Sequence, residues 1–214
     1  FRKTAAESEF FFTAGTLHPQ FGANEEELLS MHGEGVRAIK LCSFPQGVAV
    51  TSAETQDIFR LIEDTNRLQD RHFFVILDTL YLAHKFFGTA PEFDTTPAML
   101  GDVVKAYPGV DFLLAHMGGL AAPPEEIFKH LPPAENLYFD TSGAAYTLSE
   151  EDFVDLLKIH GPDHIIFGTD WPWFGHRREL ELLDVRLDLA GFQPEEKQKV
   201  FCRNAAGLLG VQLP

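Results

Sequence analysis

The stretch His164-Ile165-Ile166-Phe167-Gly168-Thr169-Asp170-Trp171-Pro172-Trp173 decides the fold. Its first half is a short apolar run with β-branched and aromatic side chains, the composition of a strand covered on both faces. Gly168 permits close approach of neighbouring backbone. Pro172 has no N–H to give to a ladder and ends the strand. Between them stands Asp170, where a buried strand gives way to a loop. An unpaired buried carboxylate is costly, so the position asks for a cation, a set of donors or a metal nearby. A lone strand-end aspartate would only cap its turn. This one has company.

The same pattern recurs upstream. Residues 10–15 form an apolar run that ends in Thr16-Leu17-His18-Pro19. Residues 36–41 run into Cys42-Ser43-Phe44-Pro45, and residues 73–77 into Asp78-Thr79. Residues 110–115 end in His116-Met117-Gly118-Gly119, and residues 137–139 in Asp140-Thr141-Ser142-Gly143. Helical patterns separate these runs. Asn24 reads as the N-cap of a helix to about residue 32, with Glu25, Glu26 and Glu27 where the dipole favours them. Thr51-Ser52-Ala53-Glu54 reads as a capping box, followed by an inner face of Ile58, Phe59, Leu61, Ile62 and Leu68. Thr96-Pro97 is the favoured N-cap and N1 pair. Ser149 caps a helix with Asp152 at N3, and further helices are expected over 176–190 and 194–209. Residues 1–9 read as the end of a helix, and residues 81–96 as a long loop without periodicity. Strict alternation of buried strands and helices means a parallel sheet. No linker or low-complexity segment divides the chain, so residues 1–214 read as a single domain.

Composition narrows the function classes. A chain of 214 residues with 45% hydrophobic and 23% charged residues can bury one sizeable core. The 20 Phe cluster in the expected strands and should be mostly core. A net charge of −15 argues against nucleic acid or an anionic membrane as partner, since both are bound through positive surface. No apolar run approaches the roughly 18 residues of a membrane span. Two cysteines, Cys42 and Cys202, make no disulfide framework and fit a reducing, cytoplasmic compartment. The expected partner is a small-molecule substrate, with a homo-oligomer left open.

In parallel α/β folds the site lies at the carboxyl ends of the strands. Here those ends carry His18, Cys42, Asp78, His116, Asp140, Ser142 and Asp170, with Lys40 just before one of them. Imidazoles and carboxylates converging from several strands are what a zinc-type hydrolytic site needs. Taken singly, each has a plain structural use: a strand-end His bonded within its loop, Lys40 in an ion pair, Cys42 as a small buried apolar group. His72, His84, His130, His160 and His176 fall in loops or helices and read as surface.

These residues resemble the amidohydrolase superfamily, in its amidohydrolase-2 branch that includes aminocarboxymuconate-semialdehyde decarboxylase. The likeness lies in Gly15-Thr16-Leu17-His18-Pro19, Gly35-Val36-Arg37-Ala38-Ile39-Lys40-Leu41, Leu114-Ala115-His116-Met117-Gly118-Gly119, Tyr138-Phe139-Asp140-Thr141-Ser142 and Ile166-Phe167-Gly168-Thr169-Asp170-Trp171-Pro172. Arg203-Asn204-Ala205-Ala206-Gly207-Leu208-Leu209 is similar to the closing helix. The resemblance implies a (β/α)8 barrel with a divalent metal, usually zinc. It makes Asp170 the last-strand aspartate that binds the metal and handles the proton of its water. His116 becomes the acid/base or electrophile beside the metal. Trp171 would wall the pocket, and His18, Lys40 and Ser142 would sit at substrate-binding rim positions.

Two departures stand out. The family's first strand carries a His-x-His pair of metal ligands, and this chain has no His-x-His. The first strand here matches the family's third, so about two βα units are expected upstream, roughly 70 residues of a typical barrel of about 250. Further N-terminal sequence or a partner chain is expected to cover the opening between the strands of His18 and Asp170, with any metal incompletely ligated until then. The fifth strand normally ends in a metal-binding histidine, where Asp78 stands here, a harder ligand of different reach. The leading expectation is a hydrolase attacking a C–N, ester or lactone bond with metal-activated water. The alternatives are a non-oxidative decarboxylase of an unsaturated carboxylic acid, and a degenerate, non-catalytic binding relative.

Overall fold

A computed structural model of the protein describes residues 7, 11–69 and 72–213. Six strands form one sheet: β1 (Ala14–Gly15), β2 (Ala38–Leu41), β3 (Phe74–Leu77), β4 (Asp111–Leu114), β5 (Leu137–Asp140) and β6 (Ile165–Ile166). They pair in chain order, and every pairing is parallel. The helices between them are α1 (Asn24–Gly33), α2 (Ser43–Gln46), α3 (Ala53–Leu68), α4 (Ala83–Phe87), α5 (Pro97–Ala106), α6 (Pro124–His130), α7 (Ala144–Thr147) and α8 (Glu150–His160). After β6 come α9 (His176–Ala190), α10 (Pro194–Gln198), a π-helical turn (Lys199–Arg203) and α11 (Asn204–Leu209). This is the α/β architecture of a (β/α)8 barrel represented by six of its units. The open edges among the described residues are β1 and β6, the strands of His18 and Asp170. The helix end expected within residues 1–9 falls, Glu7 apart, outside the described residues.

Local chemistry accounts for most boundaries. Ser52, Thr96 and Ser149 each accept an N-terminal amide of their helix, from Thr55, Met99 and Asp152. Asn24 does something else: Ala23 holds the N-cap position, and the Asn24 amide donates to the His18 carbonyl at 2.9 Å. That bond ties α1 back to the end of β1. The loop expected over residues 81–96 is not structureless. It holds α4 and a 3-10 turn (Pro91–Phe93), joined where Asp94 accepts the His84 amide at 2.9 Å and contacts its imidazole.

β6 is shorter than its apolar run suggested. The Phe167 amide leaves the ladder and donates to the Val200 carbonyl of the π-helical turn at 2.9 Å, while its ring meets Phe201 edge-on. The closing helical segment is thus fastened to the last strand.

Side-chain alternation along the strands makes two different interiors. Ile39, Leu41, Val75, Leu77, Phe112, Leu114, Leu137, Phe139 and Ile165 point to the helices and join the main core. Phe59 of α3 packs edge-on against Phe112, ring centroids 5.4 Å apart, worth about 0.5–1.5 kcal/mol beyond the burial itself. Ala38, Phe74, Leu113 and Ile166 form a second, smaller cluster on the inner face, closed from below by Ala205, Leu208 and Leu209 of α11. A cavity of about 200 Å³ lies there, walled in part by Phe12, Ala14 and Ile76. Some expected core residues lie outside: Leu68 is 77% exposed, and Phe11, Phe12, Phe21, Phe86 and Phe87 are exposed too. His160, expected at the surface, is buried against the ring of Phe139 at 4.2 Å.

Candidate active site

The inner positions of the strands continue, at their carboxyl ends, into polar residues. On β2 the next inner residue after Ala38 is Lys40, and on β5 the one after Tyr138 is Asp140. Asp78 continues the series of Phe74 and Ile76 just beyond β3. Period two thus delivers a lysine and two aspartates to one end of the sheet, and the loops after β4 and β6 add His116 and Asp170. Lys40 Nζ stands 3.7 Å from Asp78 Oδ2.

Asp140 organises the centre. Its Oδ1 accepts the His116 amide at 3.0 Å, the Ser142 amide at 2.9 Å and the Ser142 hydroxyl. Gly168 of the neighbouring segment packs so closely that an added Cβ would lie 3.1 Å from the Asp140 carboxyl. The His116 imidazole is buried, and its Nδ1 faces the Ser142 carbonyl at 2.9 Å and the Ser142 Oγ at 3.0 Å. A carbonyl only accepts, and the Ser142 hydroxyl proton is given to Asp140. Nδ1 therefore carries the hydrogen, which leaves Nε2 as the basic nitrogen of the neutral ring.

Asp170 is exposed, yet its carboxyl is held above the ordinary range. Lost hydration is the largest cause. His116 pulls the other way, Asp140 and Asp78 raise it further, and Lys40 opposes them. The groups that act on Asp170 therefore come from β2, β3, β5 and the loop after β4. Burial, then the Asp78 carboxylate, also push the Cys42 thiol far above its usual range. Burial thus holds Cys42 as a neutral thiol.

Backbone conformation marks the same residues. His116, Met117 and Asp170 have φ of 55°, 53° and 50°, the left-handed region that costs a non-glycine residue on the order of 1 kcal/mol or more. Such positions persist where the surrounding structure over-determines them.

The remaining expected site residues are placed differently. His18 is exposed and its partners are local, its Nδ1 accepting the Gln20 amide at 3.2 Å. Trp171 is 67% exposed and stacks on His176, centroids 6.0 Å apart. Ser142 is buried beneath His116, not displayed at a rim. Asp140 was legible only as a polar strand end, and nothing in the sequence distinguished its role from that of Asp78. Among the described residues no group of three or more His, Cys, Asp or Glu can hold a metal ion. The two expected metal ligands, Asp78 and Asp170, would by themselves fall short of the three or four protein ligands of a zinc centre.

A family model described as Amidohydrolase matches residues 3–211. No curated protein matches the chain. Among solved structures, 5-carboxyvanillate decarboxylase from Sphingomonas paucimobilis superposes with a TM-score of 0.70 at 15% identity, covering 99% of this chain and 70% of that one. A putative 2-pyrone-4,6-dicarboxylic acid hydrolase from Pseudomonas putida gives 0.60 at 19% identity, over 94% of this chain and 73% of that one. A dihydroxybenzoic acid decarboxylase from Polaromonas sp. JS666, with bound manganese and the inhibitor 2-nitroresorcinol, gives 0.66 at 15% identity, over 98% and 72%. Likeness at these identities speaks to the fold.

Proposed function

We propose, on the premise that this chain belongs to the amidohydrolase family and is an enzyme of that superfamily, that it removes carbon dioxide from a small unsaturated or aromatic carboxylic acid without oxidation. The observation that carries the proposal is the buried His116 imidazole, fixed through Nδ1 by the Ser142 carbonyl at 2.9 Å above the Asp140 carboxylate, with Asp170 within its electrostatic reach. In decarboxylation the bond from carbon to carboxylate breaks, its electron pair stays on carbon, and that carbon takes a proton. The His116 imidazole, its ring fixed by the Ser142 carbonyl so that Nε2 is free to carry a proton in, is suited to deliver it there, with Asp170 close enough to act on it electrostatically. Lys40 supplies the positive charge of the pocket and would attract the anionic substrate. The decarboxylases among the structural neighbours support the same reading.

Hydrolysis is the second reading, favoured by the likeness to the putative pyrone-dicarboxylate hydrolase. The same raised Asp170 would then act as base toward water attacking a C–N, ester or lactone bond. A divalent metal belongs to either version. Manganese in the Polaromonas enzyme supports it, and zinc remains the expectation from the sequence resemblance. Asp78 and Asp170 would hold part of it, with the other ligands coming from outside the described residues. Bound metal polarises an oxygen and lowers the pKa of a bound water. A cytoplasmic setting fits the two free cysteines, Cys42 and Cys202.

The deciding experiment is product analysis on a panel of hydroxybenzoates and lactone dicarboxylates, alongside elemental analysis of the purified protein. Carbon dioxide from the first group supports the proposal. Ring-opened acid from the second, with no carbon dioxide from the first, transfers it to hydrolysis.

A further inference from the structure

Glu179 is buried to 4% exposure in the first turn of α9, and neither the fold nor the chemistry above uses it. A glutamate at a helix N-terminus is normally a solvated one that complements the dipole. This one turns inward. Its Oε2 accepts the Gly143 amide at 3.3 Å, and its Oε1 is buried without a hydrogen-bond partner. The Tyr146 hydroxyl also interacts with the Glu179 carboxyl, and Arg178 lies over the Tyr146 ring at 5.7 Å. Burying a carboxylate with one oxygen unpartnered is costly even beside an amide and a phenol.

The Gly143 amide and the Ser142 carbonyl are the two ends of one planar peptide. The amide end donates to Glu179, and the carbonyl end accepts from His116 Nδ1 at 2.9 Å. A negative charge at the N–H end polarises the peptide and strengthens its carbonyl as an acceptor, since hydrogen bonds in a chain reinforce one another. Gly143 is also the residue the geometry demands: φ is +65°, and a Cβ there would lie 2.9 Å from the Phe174 ring. The loop is thus clamped between Phe174 and Glu179 with its carbonyl aimed at the imidazole.

We propose that Glu179 is a positioning residue for His116, acting through the Ser142–Gly143 peptide. It fixes the ring with hydrogen on Nδ1 and so presents Nε2 for proton transfer. A carboxylate bonded directly to a histidine has the same effect in hydrolase triads; here a peptide stands between the two. The role rests on His116 serving as acid or base, as proposed above.

The test uses the full chain with 15N-labelled histidine, in wild type, Glu179→Gln and Glu179→Leu, with His116 resonances identified by their loss in His116→Asn. The expected wild-type spectrum shows His116 protonated at Nδ1. Glu179→Leu should show a mixture of tautomers, and Glu179→Gln should keep the tautomer but shift the Nε2 resonance. On whichever substrate is turned over, kcat should fall at least about tenfold in the leucine variant with KM little changed, and the glutamine variant should recover part of that loss. Unchanged His116 resonances in a folded leucine variant overturn the proposal. Should that variant not fold, an unmoved Nε2 resonance in Glu179→Gln overturns it equally. If the resonances move but neither substrate class is turned over, the reaction has been misread and the positioning role stands. Turnover with fixed resonances has the opposite meaning.

Discussion

On β3, Val75 and Leu77 are sealed against the helices, while Phe74 and Ile76, one residue out of step, face the inside of the curved sheet. The same division holds on β2, where Ile39 and Leu41 lie outside and Ala38 and Lys40 inside. The outer face is apolar from end to end and continuous with the helices. The inner face is apolar in its middle, borders a cavity, and is charged at the carboxyl ends, with Asp111 of β4 placing a further carboxyl at the opposite end. Stability and chemistry are therefore assigned to opposite faces of the same strands. A residue's parity along the strand decides which one it serves.

The sharpest test of that division is chemical. Asp170→Asn and His116→Asn should each lower kcat by about 10²–10⁴-fold. The melting temperature should scarcely move, which calorimetry would check. A large loss of stability in either would mean that the inner mouth also holds the fold together.

Core truncation comes next. Phe112→Ala, on the outer face against Phe59, should cost about 3–5 kcal/mol in urea unfolding. Leu113→Ala, the adjacent inner residue, should cost about 2 kcal/mol, at the low end for such a change, because it already borders a void. Equal costs would erase the distinction between the faces.

Acidification separates them further. Burial holds the His160 imidazole down to about 4, with His164 adding to the effect, against an ordinary 6.5. The unfolded chain therefore takes up a proton below pH 6.5 that the folded chain refuses. Stability should fall as pH drops from 6.5 to about 4, by at most roughly 3 kcal/mol from this residue. Urea midpoints measured across that window should flatten in His160→Phe. A slope unchanged by the substitution would place the proton uptake elsewhere.

The smallest effect is expected from the inner carboxylate, with the opposite sign. Asp170 is raised when folded, so its ionised form opposes folding. That penalty is absent at low pH, where both states are protonated, and grows as pH rises through the folded value. Asp170→Asn should therefore be slightly more stable than wild type at pH 7 and no different in acid, the gain being muted by solvent access. A variant less stable at pH 7 would mean that the aspartate is paired after all.

Alternation of strands and helices, the caps at Thr96 and Ser149, and the convergence of strand ends were legible because each is a local rule that the tertiary structure did not override. What escaped detection depends on distant partners. Nothing near Phe167 announces that Val200 will take its amide from the ladder. His160 shares the buried face of α8 with Phe153, Leu156 and Leu157, a spacing that its residue type obscured, and it packs there on Phe139. His18 and Trp171 carry the right residue types in the right order, but the structure gives them local partners and open surroundings. Glu179 reads as an ordinary first-turn acid, because only the fold brings Gly143 to it.

Gly168 carries a consequence for how this chain can change over generations. Its missing side chain leaves room for Asp140, whose single oxygen gathers the His116 amide and both donors of Ser142. The first methyl group to arrive at position 168 would press on that oxygen, and through it on the imidazole. Glycines such as Gly22 and Gly33, with open space around them, could take a methyl group with little effect. At Gly168, drift presses on the anchor of His116 before it disturbs the core, so lineages that keep His116 in this setting should keep the glycine, and those that lose one are released from the other.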